Sequence, residues 1–291
     1  MAASLWSRLI GQRAARSCSA THHTDRLELH VTHACNLACE SCSHYSNHGH
    51  SGNLSLEDAY AWMAPWSRRL TLDRFVLLGG EPSIHPELPS FVPLVRRHWP
   101  QARIRIVTNG FFLDRHPDLP RVLAADGNCE LALSVHHDAA AYRDRLEPIF
   151  DLLETWQRSH SIVVMVWESH TRWTRRYRGF GELMLPFEDG QPRRSWEICP
   201  ARHCKQLFDG KVWKCPPITY LSMQKRKYDL SPKWDPYLSY QPLELTCSDG
   251  ELAGFLQREE EPICAMCSAE PRLFALPIPL RATTATSEAK S

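Results

Sequence analysis

Five short apolar runs alternate with helix-patterned stretches over roughly the first two thirds of this chain. That alternation limits the folds open to it more than any other feature. The runs are Leu27–Thr32, Arg74–Leu78, Ile104–Thr108, Glu130–Val135 and Ser161–Trp167, with Glu182–Leu185 as a short sixth. Between them, Leu54–Arg69, Leu88–Trp99, Leu119–Ala125 and Tyr142–Gln157 read as helices; in the last, Leu146, Ile149, Phe150, Leu153 and Trp156 share one face. Ser55, with Asp58 three residues on, marks a helix start. Repeated strand–helix units build a parallel sheet with right-handed crossovers. Five or six units are too few to close an eight-fold barrel. The sequence therefore predicts an α/β fold with an open, partial (β/α)6 TIM-like barrel over residues 25–190. In such folds chemistry gathers at the C-terminal ends of the strands.

Charge gives little direction. Lys plus Arg number 34 against 33 Asp plus Glu, so nothing in the balance calls for nucleic acid or an anionic membrane surface. No apolar run approaches the roughly 20 residues that span a bilayer, and no membrane partner is expected. Residues 1–24 carry Arg8, Arg13 and Arg16 and no acid. They are expected to form a disordered or leader segment of a cytoplasmic protein, although the composition also resembles an organelle transit peptide. The small, polar tail 280–291 is expected to be disordered.

Eight of the eleven cysteines fall into two groups. Cys35, Cys39 and Cys42 directly follow the first strand. Cys199, Cys204, Cys215, Cys264 and Cys267 lie in a stretch, 193–279, where cysteine, proline and tryptophan become frequent. Within it Lys205–Phe208 and Lys211–Lys214 flank Asp209-Gly210 and read as a β-hairpin, so 193–279 is expected to be a small hairpin-and-helix extension. Such grouping suits metal ligation rather than a disulfide framework. Three thiolates on one loop can hold three irons of a cubane cluster and leave the fourth open to a small molecule. Zinc, helped by His33 or His44, is the other reading of that loop, and four-thiolate zinc the other reading of the later group. The hairpin sets Cys204 opposite Cys215, and five cysteines compete for four places. Cys129 reads as a core residue opening the fourth strand; Cys18 and Cys247 receive no role.

Four features then fall in order at successive strand ends: CxxxCxxC at Cys35–Cys42, Gly79-Gly80-Glu81-Pro82, Thr108-Asn109-Gly110 and Leu133-Ser134-Val135. Together they resemble the radical S-adenosylmethionine (SAM) superfamily. The resemblance implies a 4Fe–4S cluster on Cys35, Cys39 and Cys42 whose open iron takes SAM. It implies that Gly79, Gly80, Glu81 and Pro82 meet the SAM amino group, that Asn109 belongs to the same pocket, and that Ser134 faces the ribose. Arg145 or Arg143 would meet the SAM carboxylate. Ser41 stands where many members carry an aromatic residue, and Tyr45 is the candidate adenine-facing ring instead. Gly210 followed by four residues and Cys215, then Cys264-x-x-Cys267, resembles the SPASM and twitch extensions of these enzymes. That implies a second 4Fe–4S cluster on four of the five later cysteines. Cys199 fits the family's spacing better and Cys204 fits the hairpin better.

The implied activity is reductive cleavage of SAM to methionine and a 5′-deoxyadenosyl radical, which abstracts hydrogen from a substrate carbon. A sugar or aminocyclitol-like small molecule is the expected substrate, a peptide or protein the alternative, and flavodoxin or ferredoxin the expected reductant. A non-catalytic iron–sulfur carrier or sensor is the reading from another class. Arg172, Arg175, Arg176 and Arg178 are read as a solvated helix face, with contact to a phosphorylated substrate as the alternative.

Overall fold

The computed structural model describes residues 22–280. Most of the expected leader and tail therefore lies outside the described residues, except that His22–Thr24 already belong to the first strand.

Seven strands form one sheet: β1 His22–Thr32, β2 Leu70–Gly79, β3 Arg103–Thr108, β4 Cys129–Val135, β5 Val163–Glu168, β6 Gln206–Phe208 and β7 Lys211–Trp213. Their order is β5-β4-β3-β2-β1-β6-β7. All neighbours pair in parallel except β6 and β7, and the sheet does not close. Four helices connect the first five strands: α1 Leu56–Trp66, α2 Leu88–His98, α3 Leu119–Asp126 and α4 Ala140–His160. Ser55 caps α1 as read, its side chain accepting from the Asp58 amide.

One face of the sheet carries Leu27, Leu29, Val31, Phe75, Leu77, Ile104, Ile106, Leu131 and Leu133, all buried against Met63, Trp66, Phe91, Val95, Leu119, Leu146 and Leu153 of the helices. Each such side chain contributes about 1.5–3 kcal/mol on leaving water. The other face alternates with the first. It carries Arg26, Glu28, His30, Val76, Leu78, Arg105, Val107 and Trp167; Tyr220 stacks on His30 at 4.3 Å, and a cavity borders the rest.

The sixth parallel strand is not where the sequence put it. Gly179 and Gly181 adopt positive φ, and Gly181–Leu183 forms a 3-10 turn, leaving one isolated bridge, Arg178 to Leu185. A side chain at Gly179 would collide with the Leu183 carbonyl at 2.1 Å, so the chain doubles back tightly here instead of extending. The sixth parallel strand is β6, on the opposite edge beside β1, where the Glu28 amide donates to the Lys205 carbonyl at 2.9 Å. The hairpin expected in a separate extension thus lengthens the barrel sheet. Asp209 and Gly210 both have positive φ, the two-residue turn that this pair favours.

The remaining helices are α5 Pro192–Glu197, α6 Pro216–Lys227, α7 Asp235–Leu238 and α8 Asp249–Gln257. α6 and α7, with loops from 177 to 184 and 262 to 267, enclose a second core of Tyr45, Tyr177, Met184, Ile218, Tyr220, Leu221, Trp234 and Met266, while Leu252 and Phe255 of α8 join the first core. Among the described residues no helix is long and apolar enough to cross a membrane.

Candidate active site

The loop carrying Cys35, Cys39 and Cys42 leaves β1 and is fastened from several sides. Asn36 accepts from the Asn109 side-chain amide at 2.8 Å, tying the loop to the end of β3. The Ala38 amide donates to the Pro279 carbonyl at 2.8 Å, and Leu37 bridges to Leu280. Trp173 donates its indole N–H to the Glu40 carbonyl at 2.7 Å, Arg175 pairs with the Glu40 carboxylate, and the Arg176 amide donates to Ser41 Oγ at 2.6 Å. Ser41 has positive φ, which turns the chain between the second and third cysteines. His136, just past β4, lies with Nδ1 3.6 Å from Cys39 Sγ. Burial pushes the Cys42 thiol up, and holds the His136 imidazole down to about 4, so that ring is neutral. Three soft sulfur donors on a loop held this firmly fit an iron–sulfur cluster, whose positive charge would offset the thiolates' burial.

The glycines of the Gly79–Pro82 segment permit a close approach of two backbones. A Cβ on Gly79 would lie 2.4 Å from the Thr32 carbonyl oxygen, and one on Gly80 2.2 Å from that of Ala34. They let the end of β2 pack directly on the root of the cysteine loop, sealed by Gly80 N–H to Thr32 and Glu81 N–H to Ala34, both 2.8 Å.

Glu81 is 1 % exposed. Its Oε1 accepts from the Ser83 amide at 2.9 Å, from Ser83 Oγ at 2.5 Å and from Thr108 Oγ1. Its Oε2 accepts from the Asn109 amide at 2.6 Å. A carboxylate has about four lone-pair sites, two per oxygen, so Oε2 alone keeps room for a further donor. Glu81 thus clamps the ends of β2 and β3 together; burial pushes its carboxyl up despite these donors. Pro82 opens the 3-10 turn that Glu81 caps. Ser134 is buried near the end of β4, in register with Trp167 of β5.

Two expected SAM contacts are placed differently from one another. Arg145 stacks over Phe111, two residues beyond Asn109, at 5.1 Å, on the rim of the strand ends. Arg143 turns back to the Asp138 carbonyl at 2.9 Å. Tyr45 is fully buried in the second core, 5.3 Å from the Tyr177 ring, with its hydroxyl donating to the Pro217 carbonyl at 3.2 Å. Its ring is enclosed by protein and is not open to a nucleoside, a correction to the expected adenine contact.

Among the later cysteines four converge. Cys199, Cys215, Cys264 and Cys267 line one cavity of about 30 Å³ with Ser195, Trp196 and Lys214. They come from four places: the turn after α5, the N-cap of α6, and both ends of the Cys264–Cys267 segment. Burial pushes Cys215 well up and Cys267 up to about 12, with each neighbouring thiol adding to the effect. Four sulfur donors line this space, but no three of them lie within 4.8 Å of one another, a wider spread than the ligands of one metal ion. Cys204 stands apart: its Sγ accepts from Arg26 Nη1 at 3.3 Å, beside Glu28. The ladder stops at Gln206–Trp213, so the predicted facing of Cys204 and Cys215 is never reached. Cys129 opens β4 and is buried, as read.

The arginine stretch is not a helix. It follows a 3-10 turn at Ser169–Arg172 and runs on as irregular chain. Arg175 stacks on Phe274, Arg178 donates to the Pro186 carbonyl, and Arg176 lines the cavity on the open face of the sheet.

Comparison with known proteins bears most directly on residues 29–162. Residues 29–162 match the family model described as the radical SAM superfamily. GTP 3′,8-cyclase of Campylobacter fetus is 30% identical over 96 residues, which cover 31% of this chain and 28% of that protein. Among solved structures, BtrN in complex with AdoMet and 2-DOIA is 17% identical, covering 89% of this chain and 100% of that one, with a TM-score of 0.49. anSMEcpe with bound AdoMet and the Cp18Cys peptide is 15% identical, covering 50% of this chain and 42% of that one, with a TM-score of 0.39. Residues 29–162 are thus similar to the radical SAM superfamily.

Proposed function

We propose that this protein is a radical SAM enzyme that acts on a small molecule, with Cys35, Cys39 and Cys42 holding the SAM-binding 4Fe–4S cluster and Cys199, Cys215, Cys264 and Cys267 a second cluster. The observation that carries the reading is the fastening of the cysteine loop to the ends of β2 and β3 through Gly80, Glu81, Asn36 and Asn109. When bound, the first cluster with SAM would supply reductive cleavage to a 5′-deoxyadenosyl radical.

The chain's own residues do the rest. Glu81 holds two strand ends at fixed spacing and keeps one lone pair of Oε2 for an ammonium donor. Gly79 and Gly80 bring that backbone against the loop. His136, neutral, packs beside Cys39 and Trp173 and keeps water from that sulfur. Arg145 and Ser134 are the proposed carboxylate and ribose contacts. The segment 193–279 is read as the twitch-like extension, with its four-cysteine site as acceptor of the electron left after hydrogen abstraction. Reduction by flavodoxin or ferredoxin belongs to the same proposal.

A small molecule is favoured over a peptide by the cavity on the open face of the sheet, whose volume is about 240 Å³. That lies below the roughly 300–1,000 Å³ of sites for drug-sized ligands. The test is anaerobic reconstitution with iron and sulfide, then SAM and dithionite. 5′-Deoxyadenosine should form, and a Cys35/Cys39/Cys42→Ala variant should make none while keeping about half of the iron. An intact cluster that yields no 5′-deoxyadenosine would make this an iron–sulfur carrier or sensor. Zinc in place of the retained iron would reassign the second site.

A further inference from the structure

The open face of the sheet has an imbalance that the SAM chemistry does not use. At its lower end stand Arg26, Arg74, Arg103 and Arg105, with Arg176 facing them from the loop after β5, against only Glu28 and Glu130. Glu130 serves three of them, pairing with Arg105 and lying 3.6 Å from Arg74 and 3.7 Å from Arg103. Glu28 accepts from Gln206 at 2.6 Å and lies 3.4 Å from Arg26. Arg74 Nε is enclosed and makes no hydrogen bond. Among the described residues Arg176 has no carboxylate within ion-pair distance.

Three of these arginines line the 240 Å³ cavity, with His44 and Cys204 on its rim. His44 Nε2 is also enclosed without a hydrogen-bond partner. The Arg176 backbone is bonded to Ser41 of the first cysteine loop, and its guanidinium lies 3.9 Å from Cys199 Sγ of the second group. Arg105 lies over the Trp167 ring at 4.6 Å and pairs with Glu130, so it is held in place before anything binds.

Resting on the reading of this cavity as the substrate site, we propose that the substrate carries an oxyanion, a phosphate ester or a carboxylate, seated between Arg26, Arg105 and Arg176. Guanidinium groups bind such oxyanions through paired N–H donors. Arg26 and Arg105 each have a carboxylate beside them, Glu28 and Glu130, but Arg176 has none, and an anion seated there would complete the charge balance. Seating the anion on Arg176 places the rest of the molecule between the two cysteine groups, within reach of both.

Calorimetric titration of the full-length protein with inorganic phosphate, a phosphate monoester and acetate tests this. No SAM or reductant is present, so a failure of the SAM chemistry leaves the titration readable, and a failure of binding leaves the 5′-deoxyadenosine assay readable. At least one of these probes should bind. Arg176→Gln should weaken it about 10- to 100-fold, Arg176→Lys less, and the exposed Arg172→Gln hardly at all. Which probe binds tells phosphate ester from carboxylate. Absence of binding by all of them, or equal loss in Arg172→Gln and Arg176→Gln, would overturn the proposal.

Discussion

The two cysteine groups differ in how they are built. The first places three sulfurs on eight consecutive residues and relies on distant segments (strand ends, Trp173 to Arg176, Pro279) to hold that one loop still. The second draws four sulfurs from separated segments into one small cavity, so the fold itself assembles the site. On the proposed reading, three sulfurs would leave one iron of a cubane cluster open at the first group, whereas the four of the second surround their space. A loop can be exact in sequence while its setting is spread over the chain, whereas an assembled site needs the tertiary structure even to name its members.

The sharpest way to break that comparison is at Cys199 and Cys204. Cys199→Ala should remove nearly all iron from the second site and leave 5′-deoxyadenosine formation by the first in place. Cys204→Ala should keep both sites, because Cys204 faces Arg26. Iron analysis with electron paramagnetic resonance checks both; iron loss in the Cys204 variant would exchange the two assignments.

A smaller effect is expected at Gly80. With its Cβ 2.2 Å from the Ala34 carbonyl oxygen, Gly80→Ala must push the cysteine loop off the end of β2. It should cost about 1–3 kcal/mol in denaturant unfolding, and should weaken iron retention at the first site more than at the second. Equal retention at both would show that the loop's position does not depend on this contact.

A pH-dependent effect is expected at His48, which fastens the chain beyond Cys42 to the second core through Tyr177 Oη at 3.1 Å and by stacking on Phe180 at 4.2 Å. Burial lowers its pKa to about 4, with His50 and Lys227 adding to the effect. The unfolded chain takes up this proton near pH 6.5, the folded one only near 4. Below 6.5 the unfolded state binds more protons, so stability should fall as pH drops from about 6.5 to about 4, by up to about 1.4 kcal/mol per pH unit from this residue. His48→Gln should flatten the slope in urea melts at pH 7 and pH 5; an unchanged slope removes His48 from the account.

Much of the barrel was legible because strand and helix periods are local. The five strands, the four connecting helices, the Ser55 cap and the Asp209-Gly210 turn all follow from residues within a few positions of one another. The strand-end motifs were legible for the same reason. What sequence missed is carried by long separations. His136 lies 97 residues from Cys39, and Trp173 lies 133 from Glu40. No periodicity announces such contacts; a histidine just past a strand end was the one available hint. The sixth strand failed because two glycines at positive φ bend that segment. Cys204 was ambiguous because ladder geometry was extended past the last paired residues, where Arg26 offers the sulfur another partner.

The pairing of β6 with β1 has a consequence for how the chain is made. Gln206 meets Glu28 across 178 residues, so one edge of β1 stays unpaired through most of synthesis. At about 5–20 residues per second, that edge is bare for roughly 10–35 s. Bare strand edges recruit other chains, and charged side chains on the strand discourage it. Arg26 and Glu28 stand on that strand, so the charges that later face the cavity first serve as guards against aggregation on the ribosome.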